Sequence, residues 1–273
     1  MGVPVRGWRP DPGQAVRNVV NRCRQNTGEI NVCRSRIPTR ADRAAQAAPS
    51  VLARPMDTQE TAQPRDTLDL VVFDFDGTLT TEDTFVGFMK HDMGTARWLA
   101  RMVPLLPTFA AYKAGRIDRH AVKHAVVRAV FTGRHIADVE ASAKDYAQTV
   151  IPKLIRPAGM ERFRRRWSES KAGGPQVVVC SASISPYLES FFAEFEGLDI
   201  VSCRLATDSS GICTGGLDGM NVWGPQKMSA LRERYPVHNL NIVEAYGDSE
   251  GDRALLDAAE RPFWRPFRGV GES

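Results

Sequence analysis

LDLVVFDFDGTLT, Leu68 to Thr80, sets an apolar run, Leu70 to Phe73, directly before two carboxylates, Asp74 and Asp76, and a Gly77-Thr78 turn. Short β-branched and aromatic runs that stop at a turn signal read as a strand buried on both faces. Residues two apart in an extended chain point to the same side, so Asp74 and Asp76 start out facing one place. Two anions that close repel unless a cation or a shared proton lies between them. The pattern therefore asks for a divalent metal. A solvated Asp-x-Asp-Gly turn is the plain alternative, and the rest of the sequence has to decide between them.

Two more apolar runs end the same way. Gln176 to Cys180, QVVVC, runs into Ser181-Ala182-Ser183, and Ser185 with Pro186 gives the N-cap and N1 signature of a helix reaching about Phe195. Free N–H groups and the positive dipole end at such a helix start favour an anion, and the Ser181 hydroxyl adds a donor. Leu240 to Tyr246 ends in Gly247-Asp248-Ser249, followed by Asp252. A helix beginning near Ser249 sets Asp248 and Asp252 on adjacent turns, where they repel unless a shared cation turns repulsion into coordination. Between these runs, Gly224-Pro225-Gln226-Lys227 opens another helix. Lys227 falls in its first turn, where the dipole disfavours a cation. A bound anion removes that conflict; a snorkelling surface lysine is the alternative.

No strand is expected between residues 82 and 170. Glu82 to Gly94 reads as a helix, and Ala121, Val122, Ala125, Val126, Ala129 and Val130 recur along one face of a helix that Gly133 ends. Asp138 to Ile151 forms another. Trp98 to Tyr112, WLARMVPLLPTFAAY, is the most apolar stretch, but it holds Arg101, Pro104 and Pro107 and falls short of the about 20 residues a membrane span requires. It packs inside a helical subdomain or lies on a membrane surface. Arg162, Arg164, Arg165 and Arg166 form a solvated face or receive an anionic substrate. Leu198 to Ala206 reads as a strand, Gly211 to Gly219 as a hairpin or loop, and the tail RPFWRPF as an edge strand or a wrap over the core.

With 273 residues, 42% of them hydrophobic, the chain can bury a sizeable core in one or two domains. Its charge is uneven. Residues 1–65 carry eleven Arg, no Lys and five acids, giving 11 − 5 = +6, so the remainder carries 4 − 6 = −2. That Arg-rich leader lacks apolar periodicity and reads as a disordered tail, with a nucleic-acid or anionic-lipid contact as the sharper alternative. Five cysteines without a CxxC pair fit a reducing, cytoplasmic setting.

Strands alternating with helices give an α/β fold, a mostly parallel sheet with right-handed crossovers, whose ligands bind beyond the carboxyl ends of the strands. All four stations then converge: Asp74 with Asp76, Ser181, Lys227, and Asp248 with Asp252. At this point the chain resembles the haloacid dehalogenase superfamily through four motifs in the family's order: DFDGTLT, the serine of VVVCSAS, Lys227 and GDSEGD. The resemblance covers about Leu68 to Phe267. It implies a Rossmann-like parallel core, residues 66–81 and 171–273, with a small helical cap, residues 82–170, inserted after the first strand. The second aspartate, Asp76, separates the chain from members that cleave carbon–halogen bonds.

What the resemblance implies chemically is an Mg²⁺-dependent phosphatase working through an aspartyl-phosphate. In it Asp74 is the nucleophile and Asp76 the acid and base. Ser181, Lys227, Gly77 and Thr78 hold the phosphoryl group. Asp74, Asp76 through its main-chain carbonyl, Asp248 and the supporting Asp252 hold the metal. The helical insertion resembles the branch that includes phosphoserine phosphatases, and DFDGTLTTEDTF with YGDSEGDRALL looks most like phosphatases related to phosphatidylglycerophosphatase C. Ser-Ala-Ser departs from the Ser-Gly-Gly typical of phosphoserine phosphatases. The expected partner is a phosphorylated small molecule or a lipid phosphate, the latter with peripheral contact at the inner membrane face, and no nucleic acid. From another class, the alternative is a non-catalytic binding protein that has kept the fold.

Overall fold

Burial on both faces of one strand organises the sheet. In β1 (Thr67–Phe73), Leu70, Val71, Val72 and Phe73 are all withdrawn from solvent. β1 pairs in parallel with β2 (Gln176–Ile184) on one side and β5 (Asn239–Gly247) on the other. β3 (Asp199–Thr207) continues the parallel sheet, β4 (Cys213–Asp218) closes that edge antiparallel, and β6 (Ala259–Trp264) is parallel at the opposite edge. The order is β4-β3-β2-β1-β5-β6. Successive strands step outward from β1 on both sides, so β1 borders a crevice at the strands' carboxyl ends, the place where such sheets bind ligands. This computed structural model describes residues 66–268, and it is the α/β, mostly parallel architecture expected from the sequence. The Arg-rich leader, residues 1–65, lies outside the described residues.

Between β1 and β2 the described chain is helical: α1 (Thr84–Met93), α2 (Thr95–Met102), a 3₁₀ turn (Val103–Leu105), α3 (Leu106–Lys113), α4 (Arg119–Phe131), α5 (Ile136–Thr149), α6 (Ile151–Leu154) and α7 (Pro157–Lys171). Local chemistry sets their starts. Asp83 accepts from Phe85 N and Val86 N at the head of α1, and Asp118 accepts from Ala121 N at the head of α4, each meeting donors that the first turn leaves unpaired. Phe88 packs against Phe131, Tyr146 and Tyr187, tying α1, α4 and α5 to α8 (Ser185–Phe191). The Trp98–Tyr112 stretch is not one packed helix. Pro104 and Pro107 each open a new segment, and Leu99, Val103, Leu106 and Tyr112 stay exposed. Among the described residues no helix is long and apolar enough to cross a membrane.

Three local expectations need correction. β2 does not stop at Cys180; its pairing with β3 resumes at Ile184↔Cys203, so Ser181 to Ser183 lie within the strand. The following helix, α8, is capped by Ile184 and ends at Phe191, short of Phe195. The Ser185 hydroxyl does not cap it, because Ser202 Oγ on β3 holds that hydroxyl at 2.9 Å. The arginines of α7 are no substrate receiver. Arg166 donates to both oxygens of buried Glu244, Arg162 donates to Tyr246 Oη at 2.7 Å, Arg164 pairs with Glu194 and Arg165 with Glu169. Glu244, buried on β5, is what recruits Arg162 and Arg166. The tail does form an edge strand, β6, as its prolines suggested.

Candidate active site

The register Phe73↔Val179 and Phe73↔Tyr246 sets Asp74 just past the ends of β2 and β5, where the chain leaves the sheet. Both oxygens of the buried Asp74 carboxylate are occupied. Lys227 Nζ donates to Oδ1 at 2.6 Å, and Thr78 Oγ1 donates to Oδ2 at 3.0 Å. Lys227 heads α9 (Pro225–Arg234), yet it is only 1% exposed and does not snorkel. It also donates to Asp252 Oδ1 at 2.6 Å and to the Cys180 carbonyl at 2.7 Å. Burial works against its charge, but Asp74 and Asp252 prevail and hold the ammonium above the usual lysine range. So the dipole conflict read in the sequence is met by two internal carboxylates.

Asp252 closes a 3₁₀ turn (Glu250–Asp252) ahead of α10 (Arg253–Asp257), and its Oδ2 accepts from Asp248 N at 3.1 Å and from Ser249 N and Oγ, both at 3.0 Å. Against the cost of burial, Lys227 and these donors keep its carboxyl below the ordinary value. Asp248 and Asp74 go the other way. Burial first, then the charge of Asp252, pushes each upward, opposed by Arg268 at Asp248 and by Lys227 at Asp74. Arg268 donates to Asp248 Oδ2 at 2.9 Å.

Asp74, Asp248 and Asp252 each offer an oxygen, all within 4.8 Å of one another. Hard oxygen donors in that number suit Mg²⁺, which keeps water in its remaining positions. The chain makes room for the cluster. At Gly77 the backbone has φ +76°, and a Cβ would lie 2.4 Å from Asp248 Oδ2. Only glycine fits there, on both counts.

Asp76 lies apart from this cluster. Its Oδ1 accepts from Thr84 N at 2.7 Å and from Thr84 Oγ1, its Oδ2 accepts from Ser183 Oγ, and Tyr187 Oη lies 3.2 Å from Thr84 Oγ1. Burial, then the charge of Asp83, pushes its carboxyl upward, so Asp76 holds a proton above the usual carboxylate range. Two acids two residues apart thus meet different partners: Asp74 accepts from an ammonium, Asp76 from neutral hydroxyl and amide donors. The Asp76 side chain is not among the three clustered carboxylates, leaving only its main chain for the metal role the resemblance implies.

Ser181 is fully buried, lines the cavity and accepts from Ser183 N at 3.1 Å, which leaves its own proton to donate. Thr78 spends its hydroxyl on Asp74, and the Gly77 N–H donates to Thr80 Oγ1 at 3.2 Å. Through these bonds both residues shape the loop that carries the carboxylates. Burial pushes the Cys180 thiol up to about 12, so it offers no thiolate nucleophile. Ser183, Thr84 and Arg268 escaped the sequence reading. Only the serine carried a signal, two residues after Ser181 on an extended chain and so on its side of the strand.

The site opens into a cavity of about 710 Å³ whose far wall is the helical insertion, including Phe85, Met89, Trp98, Met102 and Phe109. One end is thus ionic and the other apolar.

Residues 71–257 match the family model described as haloacid dehalogenase-like hydrolase, so the chain belongs to that family of hydrolases and is an enzyme. Among individual proteins it is similar to Protein CicA of Caulobacter vibrioides, 34% identical over 221 residues, covering 80% of this chain and 93% of that one. Two solved structures share the fold. One is a protein of unknown function from Bordetella pertussis Tohama I, with TM-score 0.55 and 17% identity, covering 72% of this chain and 89% of that one. The other is a probable phosphoserine phosphatase from Vibrio cholerae, with TM-score 0.51 and 16% identity, covering 73% of this chain and 56% of that one.

Proposed function

We propose that this hydrolase is an Mg²⁺-dependent phosphatase that cleaves a phosphate monoester through an aspartyl-phosphate on Asp74. One observation carries the reading: a buried carboxylate at the tip of β1, held by Lys227 and Thr78 beside two more carboxylates, faces a cavity that another carboxyl, Asp76, also lines. Asp74 attacks phosphorus in line, the ester P–O bond breaks, and Asp76 gives its proton to the leaving alcohol. Water then attacks the same phosphorus, the bond to Asp74 breaks, and Asp76 takes the water proton back, leaving inorganic phosphate. Ser181 and Lys227 stand where the phosphoryl oxygens carry charge, and the helical insertion shields the pair from bulk water. Asp74, Asp248, Asp252 and the Asp76 main chain would hold the Mg²⁺, whose charge offsets that of the phosphoryl group.

The test is p-nitrophenyl phosphate turnover with and without EDTA, in the wild type and in Asp74→Asn. The expected result is loss in both cases with the melting transition retained in the variant. Turnover near the wild-type rate in Asp74→Asn removes Asp74 as nucleophile, and full activity in EDTA removes the metal.

A second reading, a lipid-phosphate phosphatase at a membrane surface, draws on the α2–α3 segment. Trp98, Met102 and Phe109 line the cavity from it while Leu99, Val103 and Leu106 on the same segment face solvent. Co-sedimentation with anionic liposomes at low salt supports it; no binding there argues for a phosphorylated small molecule handled away from membranes.

A further inference from the structure

After β6 the chain returns to the metal-binding end of the site, and the chemistry above does not use what it brings there. Arg265 has φ +50°, the only left-handed residue other than glycine among the described ones. An arginine adopts that region at a cost, and such strain persists only where the surroundings hold it. They do so here. The Arg265 N–H donates to the Gly247 carbonyl at 2.8 Å, and its Nε donates to the Asp248 carbonyl at 3.1 Å. Beyond this turn the Phe267 ring stacks on Tyr246 and lies so near α7 that a Cβ on Gly159 would stand 3.0 Å from Phe267 Cδ2. From that anchored backbone Arg268 enters the cavity, where its guanidinium donates to Asp248 Oδ2 at 2.9 Å. The strap, Arg265 to Arg268, thus clasps Asp248 twice, by its carbonyl and by its carboxylate.

That pose does not use the arginine fully. Its Nε is buried with no partner among the described residues, and a buried donor left unpaired is unfavourable. The carboxylate it holds also belongs to the three-acid cluster, and a dication bound there repels a guanidinium beside it. The other carboxylates at this end are taken. Asp74 accepts from Lys227 and Thr78, Asp252 from Lys227 and Ser249, and Asp76 from Thr84 and Ser183. A phosphoryl group at Asp74 is the acceptor that remains, and its oxygens match the guanidinium fork for two parallel N–H bonds. We infer that Arg268, carried in by the strap after β6, is a phosphoryl-binding residue: its guanidinium neutralises Asp248, and a divalent cation that takes that carboxylate passes the fork to the phosphoryl oxygens. This rests on the phosphatase reading above and adds to Ser181 and Lys227 a ligand that lies outside all four sequence motifs. The exchange makes Arg268 a competitor of the metal and a partner of phosphate, so its removal acts on the two with opposite sign.

Titration calorimetry on the full chain tests it, with Mg²⁺ alone and then with inorganic phosphate in excess Mg²⁺, in the wild type, Arg268→Met and Arg268→Lys. Arg268→Met should bind Mg²⁺ about tenfold more tightly, because Asp248 is freed and a like charge is gone. It should bind phosphate more weakly by about tenfold, roughly the worth of one charge-assisted hydrogen bond. Arg268→Lys keeps the charge without the fork, so it should hold Mg²⁺ near the wild-type affinity and recover only part of the phosphate binding. Opposite shifts in Arg268→Met support the inference. Weakening of both ligands, the mark of a merely structural prop for Asp248, overturns it, as does an affinity for either ligand that stays at the wild-type value. Release of phosphate by the wild type from no ester at all, p-nitrophenyl phosphate included, overturns the phosphatase reading itself, which these two affinities do not decide.

Discussion

Replacing Lys227 by Met tests the centre of the site without touching the nucleophile. The ammonium lies 2.6 Å from Asp74 Oδ1 and 2.6 Å from Asp252 Oδ1, with the side chains of all three residues at least 92% buried. Methionine fills the space but leaves two carboxylates and the Cys180 carbonyl facing one another with no cation. Breaking a buried pair in this way costs about 3–5 kcal/mol. At about 2–4 °C per kcal/mol for a domain of roughly this size, the melting temperature should fall by about 6–20 °C. The pH dependence has a definite sign. In the wild type Lys227 has a raised pKa, so its contribution is fully present below the ordinary lysine range and is constant through neutrality. In the variant Asp74 and Asp252 bind protons more readily folded than unfolded, so stability should recover as the pH is lowered from about 8 to about 5. Differential scanning calorimetry in EDTA across that range reads both effects. A melting temperature within about 2 °C of the wild type, or a deficit that stays constant on acidification, refutes the reasoning.

Three further substitutions probe other joints. Gly77→Ala adds a Cβ 2.4 Å from Asp248 Oδ2 at φ +76°; displacing that carboxylate should raise the Mg²⁺ concentration for half-maximal activity by about 10- to 100-fold, and an unchanged requirement would separate Asp248 from the metal. Asp76→Asn should lower kcat/KM on alkyl phosphates by about 100- to 10,000-fold and on p-nitrophenyl phosphate, whose leaving group needs no proton, far less, while the shared hydrolysis of the intermediate slows for both. Because Asp76 holds its proton above the usual range, the wild-type rate on alkyl phosphates should fall as pH rises through that raised value, a limb that the variant loses. Glu244→Gln strips the charge that Arg162, Arg166 and Arg261 share and should cost about 3–5 kcal/mol near neutrality. Although burial opposes it, Tyr246 and Arg166 hold the Glu244 carboxyl below its ordinary value, so the stability it gives is present above that value and lost on acidification, and the gap between variant and wild type should narrow at low pH.

The fold was legible because parallel strands buried on both faces leave continuous apolar runs, and the runs at Leu70, Gln176 and Leu240 became β1, β2 and β5. Asp74, Lys227, Asp248 and Asp252 were legible for a related reason. A carboxylate soon after such a run lies at the crevice by topology alone, and Lys227 was marked by its place in the first turn of a helix. Partners that meet only through tertiary closure leave no trace in local pattern. Ser183 reaches Asp76 across 107 positions, Lys123 reaches Ala182 across 59, and Arg166 reaches Glu244 across 78. Glu244 shows the limit in the other direction. An acid amid apolar neighbours argues against deep burial until three arginines from outside the strand are known to meet it. The extension of β2 through its serines had the same cause, since Cys203 on β3 pairs with Ile184.

Charge arithmetic links the site to its expected ligands. Asp74, Asp248 and Asp252 bring three negative charges and Lys227 and Arg268 two positive ones, so 3 − 2 leaves an excess of one. A phosphate monoester near neutral pH adds about −1.5 to −2, for a total near −3 in a largely buried space. Water screens such a cluster poorly at that depth, so phosphate alone should bind weakly. One divalent cation lowers the excess to about −1, a sum that Asp76 does not worsen while it keeps its proton. Mg²⁺ and phosphate should therefore strengthen each other's binding by equal factors, since linkage is reciprocal. Titration calorimetry of inorganic phosphate into the protein in EDTA and in excess Mg²⁺ measures the factor, expected at about tenfold or more for a coupling of about 1.4 kcal/mol. Equal affinity in the two conditions would mean that the three carboxylates do not act on the phosphate through a shared cation, and the assignment of Asp248 and Asp252 to a metal would have to be given up.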